Sequence, residues 1–178
     1  MFRIRHLAAA ALLTLAAGGA PSLGPPAPGR MGSTMDTGAF SAADFAWSQA
    51  PGRNTIAGRL AYHQGQMRFT CAGASVILTP ETPWSRRRMA VLYGSADRAA
   101  QSAEAVRART PQAPVGDSSA FIKRTTCDPT DRFSFSGLPN GAWFVITIAR
   151  PADGGKAAGV ALMRRVVTRG GRATTLEL

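Results

Sequence analysis

A single short stretch limits the choice of fold more than any other part of the chain. Residues 133–145 read FSFSGLPNGAWFV: two phenylalanines alternate with serines, a Pro-Asn-Gly turn follows, and an almost wholly apolar run comes next. Alternation with a period of two predicts a strand with one buried face, whereas an apolar run predicts a strand buried on both faces. Phe133 and Phe135 should therefore enter a core, and Trp143 should lie on the next strand. Two strands of this kind indicate a pair of packed β-sheets.

Strand patterns recur on both sides of this stretch. They cover residues 55–62, 71–80, 121–127, 158–167 and 173–178. Gly170 and Gly171 separate the last two, which predicts a terminal hairpin. Six or seven short strands are enough for two sheets. We therefore predict an all-β fold, a two-sheet antiparallel sandwich of about seven strands.

One segment, at about residues 84–109, breaks the β pattern. Small and apolar residues recur there at intervals of three or four, which is the spacing of a helix. They are Met89, Leu92, Tyr93, Ala96, Ala100, Ala103 and Val106. Gly94 should divide the segment, Ser95 should cap its second helix, and Pro111 should end it. We expect a helical insertion between strands of the sandwich.

The amino-terminal residues have the pattern of an exported protein. Residues 1–20 combine Arg3 and Arg5 with an apolar run of about eleven residues and small residues after it, which predicts a signal peptide. This run is shorter than the roughly twenty residues that span a bilayer. After cleavage we therefore expect no transmembrane segment, and we expect the protein to be periplasmic or extracellular.

Composition divides the rest of the chain into a linker and one domain. Residues 21–52 begin with a Pro- and Gly-rich stretch, which predicts a flexible linker, and end in a short aromatic segment with Phe40, Phe45 and Trp47. We expect these aromatic rings to cover an open face of the domain. Residues 53–178 form the predicted β-sandwich domain.

The two cysteines, Cys71 and Cys127, are expected to form one disulfide, because an even count in an exported chain predicts pairing. A metal site would need more ligands, since His63 is the only histidine after the predicted signal peptide and no Cys-x-x-Cys pair occurs. A reactive thiol would need a neighbouring histidine that the local sequence does not supply. No metal and no cofactor are expected.

The stretch DRFSFSGLPNGAWFV resembles the F-x-F-x-x-L-P-x-G-x-[YW]-x-V pattern of carboxypeptidase regulatory-like domains, which are similar to transthyretin (prealbumin). The matching residues are Phe133, Phe135, Leu138, Pro139, Gly141 and Trp143. The resemblance covers about residues 56–148, interrupted by the helical segment. It implies a seven-stranded sandwich that serves as a non-catalytic accessory or interaction module. The helical insertion and the two cysteines depart from the general pattern and indicate a narrower, exported bacterial subfamily.

The chain is strongly basic, with 21 Lys and Arg residues against 10 Asp and Glu residues and a net charge of +11. An exported protein of this charge is expected to meet anionic glycans, lipid headgroups or acidic proteins. Arg86, Arg87 and Arg88 form a basic cap on the predicted helix and are the candidate binding residues. A solvated surface is the alternative explanation of this cluster. Nucleic acid is not expected, because aromatic residues are not interleaved with the basic ones.

Catalytic motifs are lacking, since no H-E-x-x-H, G-x-S-x-G or phosphate-binding Gly motif occurs. One alternative is a small transthyretin-like hydrolase in which His63 works with Asp128 or Asp131. The purine-breakdown hydrolase of this fold has several histidines and a terminal Tyr-Arg-Gly-Ser, which are missing here. No catalytic residue is therefore predicted.

We predict a non-catalytic exported module for protein interaction or structural support in the cell envelope. Its partner would be an envelope protein or an anionic surface component. Such a module should present an exposed apolar patch or an unpaired sheet edge. The first alternative is a binder of anionic glycan or lipid through the arginine cluster.

Overall fold

The computed structural model describes residues 38–178, in which ten strands form two sheets. In chain order the strands are β1 (Asn54–Arg59), β2 (His63–Gln64), β3 (Met67–Thr70), β4 (Ser75–Pro80), β5 (Arg98–Ser102), β6 (Lys123–Thr126), β7 (Arg132–Leu138), β8 (Gly141–Pro151), β9 (Val160–Thr168) and β10 (Ala173–Glu177). The helices are α1 (Pro83–Tyr93) and α2 (Ala103–Ala108), with short 3₁₀ helices at Ala42–Gln49, Thr110–Gln112 and Ser119–Phe121. Within these residues no helix is long and apolar enough to cross a membrane. The predicted all-β sandwich with a helical insertion is confirmed. The predicted signal peptide lies outside the described residues.

The two sheets differ in size. β1 lies at the centre of the three-stranded sheet, parallel to β10 and antiparallel to β7. β8 is the central strand of the seven-stranded sheet and pairs with β9, β4 and β3. β5 extends this sheet beyond β9, β6 extends it beyond β4, and β2 pairs with β3. The larger sheet therefore has strands that the smaller one cannot cover.

The predicted terminal hairpin is wrong. β9 belongs to the larger sheet, whereas β10 crosses to the smaller sheet and runs parallel to β1. Gly170 and Gly171 have φ angles of 71° and 67°, and the turn they form leads the chain from one sheet to the other. The physical reason is that β1 offers a second edge for pairing, and pairing there places Leu176 in the core.

The predicted motif forms the centre of the core. Phe133 and Phe135 are buried between the sheets, while the serines between and after them are exposed. β8 is buried on both faces over Trp143, Phe144 and Val145. Trp143 and Val145 join the core between the sheets, and Phe144 joins a second apolar cluster beneath α1. The alternation and the apolar run therefore place their side chains as predicted.

The turn between β7 and β8 depends on close packing. Leu138 is fully buried, and the side-chain amide of Asn54 donates to its carbonyl oxygen at 2.9 Å. Asn140 Oδ1 accepts from the same amide at 3.1 Å. A Cβ atom at Gly141 would lie 2.1 Å from the ring of Trp47, so only glycine fits there.

The aromatic segment packs on the domain, as predicted. Phe45 is fully buried, and its ring lies 5.9 Å from that of Trp84 and 4.9 Å from that of Phe121. The ring of Trp47 lies 4.8 Å from that of Trp143 in the main core. The 3₁₀ helix that carries these rings is therefore part of the packed unit.

α1 follows its prediction more closely than the rest of the insertion does. Thr82 caps it, with a hydroxyl that accepts a backbone N–H at 3.1 Å, and Gly94 ends it with a φ of 73°. Residues 98–102 form β5 instead of the predicted second helix, and Ser102, not Ser95, caps α2. The helix propensity of alanine is a weak preference, and pairing with β9 overrides it.

The predicted disulfide is formed. Cys71 and Cys127 are buried, with Cα atoms 5.7 Å apart, and they join the end of β3 to the end of β6. Asp131 completes this corner, because its carboxylate accepts from Cys71 N at 2.9 Å and from the Thr70 hydroxyl. Two cysteines and one aspartate come close together here, but the two sulfurs are bonded to each other. The group is therefore a structural disulfide with a supporting carboxylate.

Replacing both cysteines by serine should lower the free energy of unfolding by about 4 kcal/mol, because the bridge closes a long loop in the unfolded chain. The bridged residues are 56 positions apart. Urea denaturation of the double variant beside the oxidised wild type measures this difference. Ser134→Ala, on an exposed position of β7, is the control and should change little. A loss below about 1 kcal/mol would contradict a stabilising role of the disulfide.

Candidate functional site

The three candidate arginines lie in α1, and the structure gives each a different environment. Arg86 is paired: Nη1 donates to Glu81 Oε1 at 2.7 Å, and Nη2 lies 3.6 Å from Asp97 Oδ1. The hydrogen bond with Glu81 raises the pKa of Arg86 above its usual value. Glu81 also accepts from Arg165 Nε at 2.6 Å. One mostly buried carboxylate thus ties α1 to β9.

The other two arginines lie against protein groups. Arg88 stands over the ring of Trp84, 5.5 Å from its centroid, and donates to the carbonyl oxygen of Pro114 at 2.8 Å. Arg87 lies against Gly38, where a Cβ atom would be 2.3 Å from the guanidinium. Arg86 and Arg87 share a depression of about 330 Å³ that Arg88 does not line. The ligand-binding role of this cluster stays a prediction.

The residues of the hydrolase alternative are held in turns. Asp128 Oδ1 accepts from the backbone N–H of Arg132 at 2.9 Å and from Thr130, and these bonds lower its pKa. A carboxylate with a lowered pKa is a weaker base. His63 is exposed and its Nδ1 lies 3.0 Å from the carbonyl oxygen of Ala61. Among residues 38–178 no hydrogen bond joins His63 to Asp128 or to Asp131.

A cleft forms where the larger sheet extends past the smaller one. β10 is the edge strand of the smaller sheet and contacts β9, and none of the described strands covers the inner face of β5. Arg98, Ala100 and Ser102 are exposed on β5 for this reason. The cleft, called the overhang cleft below, has a volume of about 360 Å³. It is lined chiefly by Tyr62, Arg98, Ala100, Leu162, Arg164 and Glu177.

Arg98 and Arg164 are the distinctive polar residues of the overhang cleft. They stand directly opposite each other in the β5–β9 pair, so both side chains leave the sheet on the same face. Arg164 Nη1 donates to the carbonyl oxygen of Glu177 at 2.7 Å. The side chain of Arg98 has no hydrogen bond or ion pair in the described part of the chain. Like charges directly opposite each other are unfavourable, and an anion between them would relieve the repulsion.

Tyr62 and Glu177 add an aromatic ring and a carboxylate. Tyr62 is half-buried, and its ring meets that of Phe69 edge-on at 5.3 Å. The Glu177 carboxylate accepts from Arg59 Nε at 3.0 Å, which balances its charge. The cleft therefore combines an aromatic ring, an aliphatic floor and a cationic pair.

Sequence patterns do not single out this cleft. Arg98 falls in the predicted helix, and Arg164 falls in a strand that was predicted to pair with residues 173–178. Only the pairing of β5 with β9 brings the two together. No local motif signals such a contact.

The described sheets end in five edge strands, namely β7 and β10 in the smaller sheet and β2, β5 and β6 in the larger one, and β6 is one example of an unpaired edge. β6 pairs with β4 on one side, and no backbone hydrogen bond reaches its other side from the residues that the structure describes. Lys123 and Arg124 place two positive charges on this short strand. Short, charged edges resist the addition of another strand. This edge is therefore a weak candidate for a protein contact.

Glu81→Gln should lower the free energy of unfolding by about 2 kcal/mol, because a neutral amide no longer balances Arg86 and Arg165. Urea denaturation of the variant and the wild type measures the loss. Glu104→Gln removes the same charge from an exposed position of α2 and is the control. If both variants lost the same free energy of unfolding, the Glu81 bridge from α1 to β9 would not contribute to stability.

Comparison with known proteins bears on the fold. No protein-family profile and no curated protein sequence matches the chain. The chain is similar to the crystal structure of a proposed carbohydrate-binding protein from Pseudomonas aeruginosa, with 21% sequence identity and a TM-score of 0.55. The similarity covers 78% of this chain and 97% of the other. At this level of identity, the likeness establishes a shared fold.

Proposed function

We propose that this protein is a non-catalytic binding module of the cell envelope, and that its overhang cleft takes an acidic sugar unit of a surface carbohydrate. The observation that carries the proposal is the opposed pair of Arg98 and Arg164. Neither arginine forms an ion pair within residues 38–178. The similar fold of a proposed carbohydrate-binding protein supports the ligand class.

The chemistry of the cleft suits a sugar that carries a carboxylate. A guanidinium binds a carboxylate through two parallel hydrogen bonds, and two guanidinium groups facing the same side can share one anion. Tyr62 offers an apolar ring face beside a hydroxyl, which matches the mixed surface of a sugar ring. Leu162 and Ala100 supply an apolar floor. The volume of about 360 Å³ lies within the range of small-ligand sites.

The lining of the cleft supports binding without catalysis. Most enzymes that cleave glycosidic bonds use a pair of carboxylic side chains. Glu177 is the one carboxylic side chain among the lining residues, and Arg59 holds it. The described residues offer no hydrogen-bonded pair of His63 with an aspartate either. We therefore assign the cleft to recognition alone.

The envelope location rests on three features. Residues 1–20 have the pattern of a signal peptide, the disulfide between Cys71 and Cys127 suits an oxidising compartment, and the basic charge suits an anionic surface. The resemblance of residues 133–145 to carboxypeptidase regulatory-like domains implies the same kind of accessory, non-catalytic role. We therefore propose that the protein is an exported module of the regulatory-like type.

Two other kinds of partner are less well supported by the structure than the acidic sugar. A protein partner that adds a strand at β6 would meet a charged edge, and no observation singles out one of the other edge strands for such a contact. An anionic glycan or lipid at the arginine cluster would compete with Glu81 for Arg86 and with Pro114 for Arg88. In the overhang cleft Arg164 donates to a backbone carbonyl, as Arg88 does, but the Glu177 carboxylate is paired with Arg59 and Arg98 has no ion pair within residues 38–178.

The test is calorimetric titration of the full chain with an oligogalacturonate, which carries a carboxylate on each unit. Arg98→Gln should weaken binding by about tenfold or more, since it removes a charge-assisted hydrogen bond. Added salt should weaken binding as well. Arg124→Gln removes the same charge from an exposed position of β6 and should leave the affinity unchanged. A neutral oligoglucoside of equal length should bind weakly or not at all.

The variants also separate the two basic sites. Loss of binding in an Arg86/Arg87/Arg88→Ala variant, with full binding in Arg98→Gln, would move the site to the arginine cluster. Equal affinity for the neutral and acidic oligosaccharides would show that the arginine pair does not recognise the carboxylate. No binding of either oligosaccharide would overturn the acidic-sugar proposal.

A further inference from the structure

A second concave surface lies on the outer face of the larger sheet. It is a groove of about 410 Å³ between α2 and the sheet, called the outer groove below. Its floor consists of apolar side chains from three neighbouring strands, namely Ile77, Ile146, Ile148 and Ala161. Val106 of α2 lines the groove from the other side. The groove therefore has the apolar lining typical of a small-molecule site.

The floor is open because α2 covers it incompletely. α2 is 6 residues long and has no buried residue. Ile148 is 52% exposed, although it lies on the central strand of the sheet. Burial of an exposed apolar side chain is favourable, because it removes apolar surface from water. An apolar ligand that covers Ile148 would gain free energy in this way.

Tyr93 also lines the outer groove, and its hydroxyl lacks an acceptor. The residue is 5% exposed, and its hydroxyl forms no hydrogen bond with any residue that the structure describes. Burial raises the pKa of Tyr93 to about 12, although the charge of Arg88 acts in the opposite direction. The hydroxyl is therefore a donor at neutral pH. No buried side-chain oxygen or nitrogen lacks a partner among the described residues, so this unpaired hydroxyl reaches solvent and can donate to a ligand oxygen in the groove.

The charged side chains at the outer groove are all positive. Arg107 lines it, and Arg124 stands opposite Ile77 on the same face of the sheet. Neither guanidinium has a hydrogen bond or ion pair within residues 38–178, and no acidic residue lines the groove. The surroundings therefore complement an anion.

We propose that the outer groove binds a single-chain amphiphile with a carboxylate head, of the chemical class of fatty acids. The hydrocarbon chain lies along Ile146, Ile148 and Val106. The carboxylate meets Arg107 and accepts a hydrogen bond from the hydroxyl of Tyr93. This site lies on the opposite face of the sheet from the overhang cleft and does not rest on the acidic-sugar proposal.

A small ligand fits the outer groove better than a protein segment does. The volume of about 410 Å³ lies within the range of small-ligand sites. A stable protein interface buries roughly 800 Å² on each partner and needs a wider apolar surface. Tyr93 is one of the residues that line the groove, so its hydroxyl can meet a small ligand that enters there.

The test is calorimetric titration of the full chain with decanoate, kept below its micelle-forming concentration. We expect one decanoate per chain. Ile148→Glu should weaken binding by about tenfold or more, because it puts a negative charge beside the hydrocarbon chain. Val115→Glu adds the same charge at an apolar residue that is 90% exposed, and it should leave the affinity unchanged.

Two conservative variants test the polar contacts. Tyr93→Phe removes only the hydroxyl and should weaken decanoate binding by roughly tenfold. Arg107→Gln should weaken decanoate binding to a similar extent and leave the binding of decan-1-ol unchanged. Arg98→Gln should bind decanoate like the wild type, so the result is independent of the overhang cleft.

Failure of decanoate to bind, or equal affinity in the wild type and Ile148→Glu, would overturn the proposal. Binding of an acidic amphipathic peptide in place of decanoate would overturn it in favour of a protein partner. A concentration-dependent dimer that Ile148→Glu abolishes would overturn it in favour of a second copy of the chain.

Discussion

β8 is hydrogen-bonded to three strands and buried on both faces, and the other layers are arranged around it. Trp143 and Val145 face the smaller sheet, whereas Phe144 faces α1. A slip of one residue would exchange these two sets of side chains. Because each set fits a different cluster, the register of β8 is strongly specified. The positions of β4 and β9, and through them of α1 and β5, follow from that register.

The two candidate binding surfaces have a common origin in this layered arrangement. The smaller sheet covers only part of the inner face of the larger sheet, and the overhang cleft lies where that cover ends. The helices cover only part of its outer face, and the outer groove lies where α2 leaves Ile148 exposed. Unequal layers therefore create concave surfaces on a sandwich whose core is otherwise closed. Neither candidate surface requires a departure from ordinary sheet packing.

Local patterns predicted those features that depend on neighbouring residues. The burial of Phe133 and Phe135, the aromatic cover from Phe45, and the end of α1 at Gly94 follow from period, ring size and turn chemistry. Pairing between distant strands was not predictable in the same way. β5 has the composition of a helix, and β10 has the pattern of a hairpin strand, yet both pair elsewhere. The overhang cleft depends on these two strands, which is why its residues escaped notice.

The parallel pairing of β1 with β10 affects the order in which the domain can fold. Arg59 on β1 and Glu177 on β10 are 118 residues apart in the chain. Contacts between such distant residues form late, because the loop entropy must be lost before the contact contributes. When a chain is made from its amino-terminal end, β1 lacks its partner β10 until the last residues have been added. The smaller sheet is therefore complete only when nearly the whole chain is available, although β1 can pair with β7 earlier.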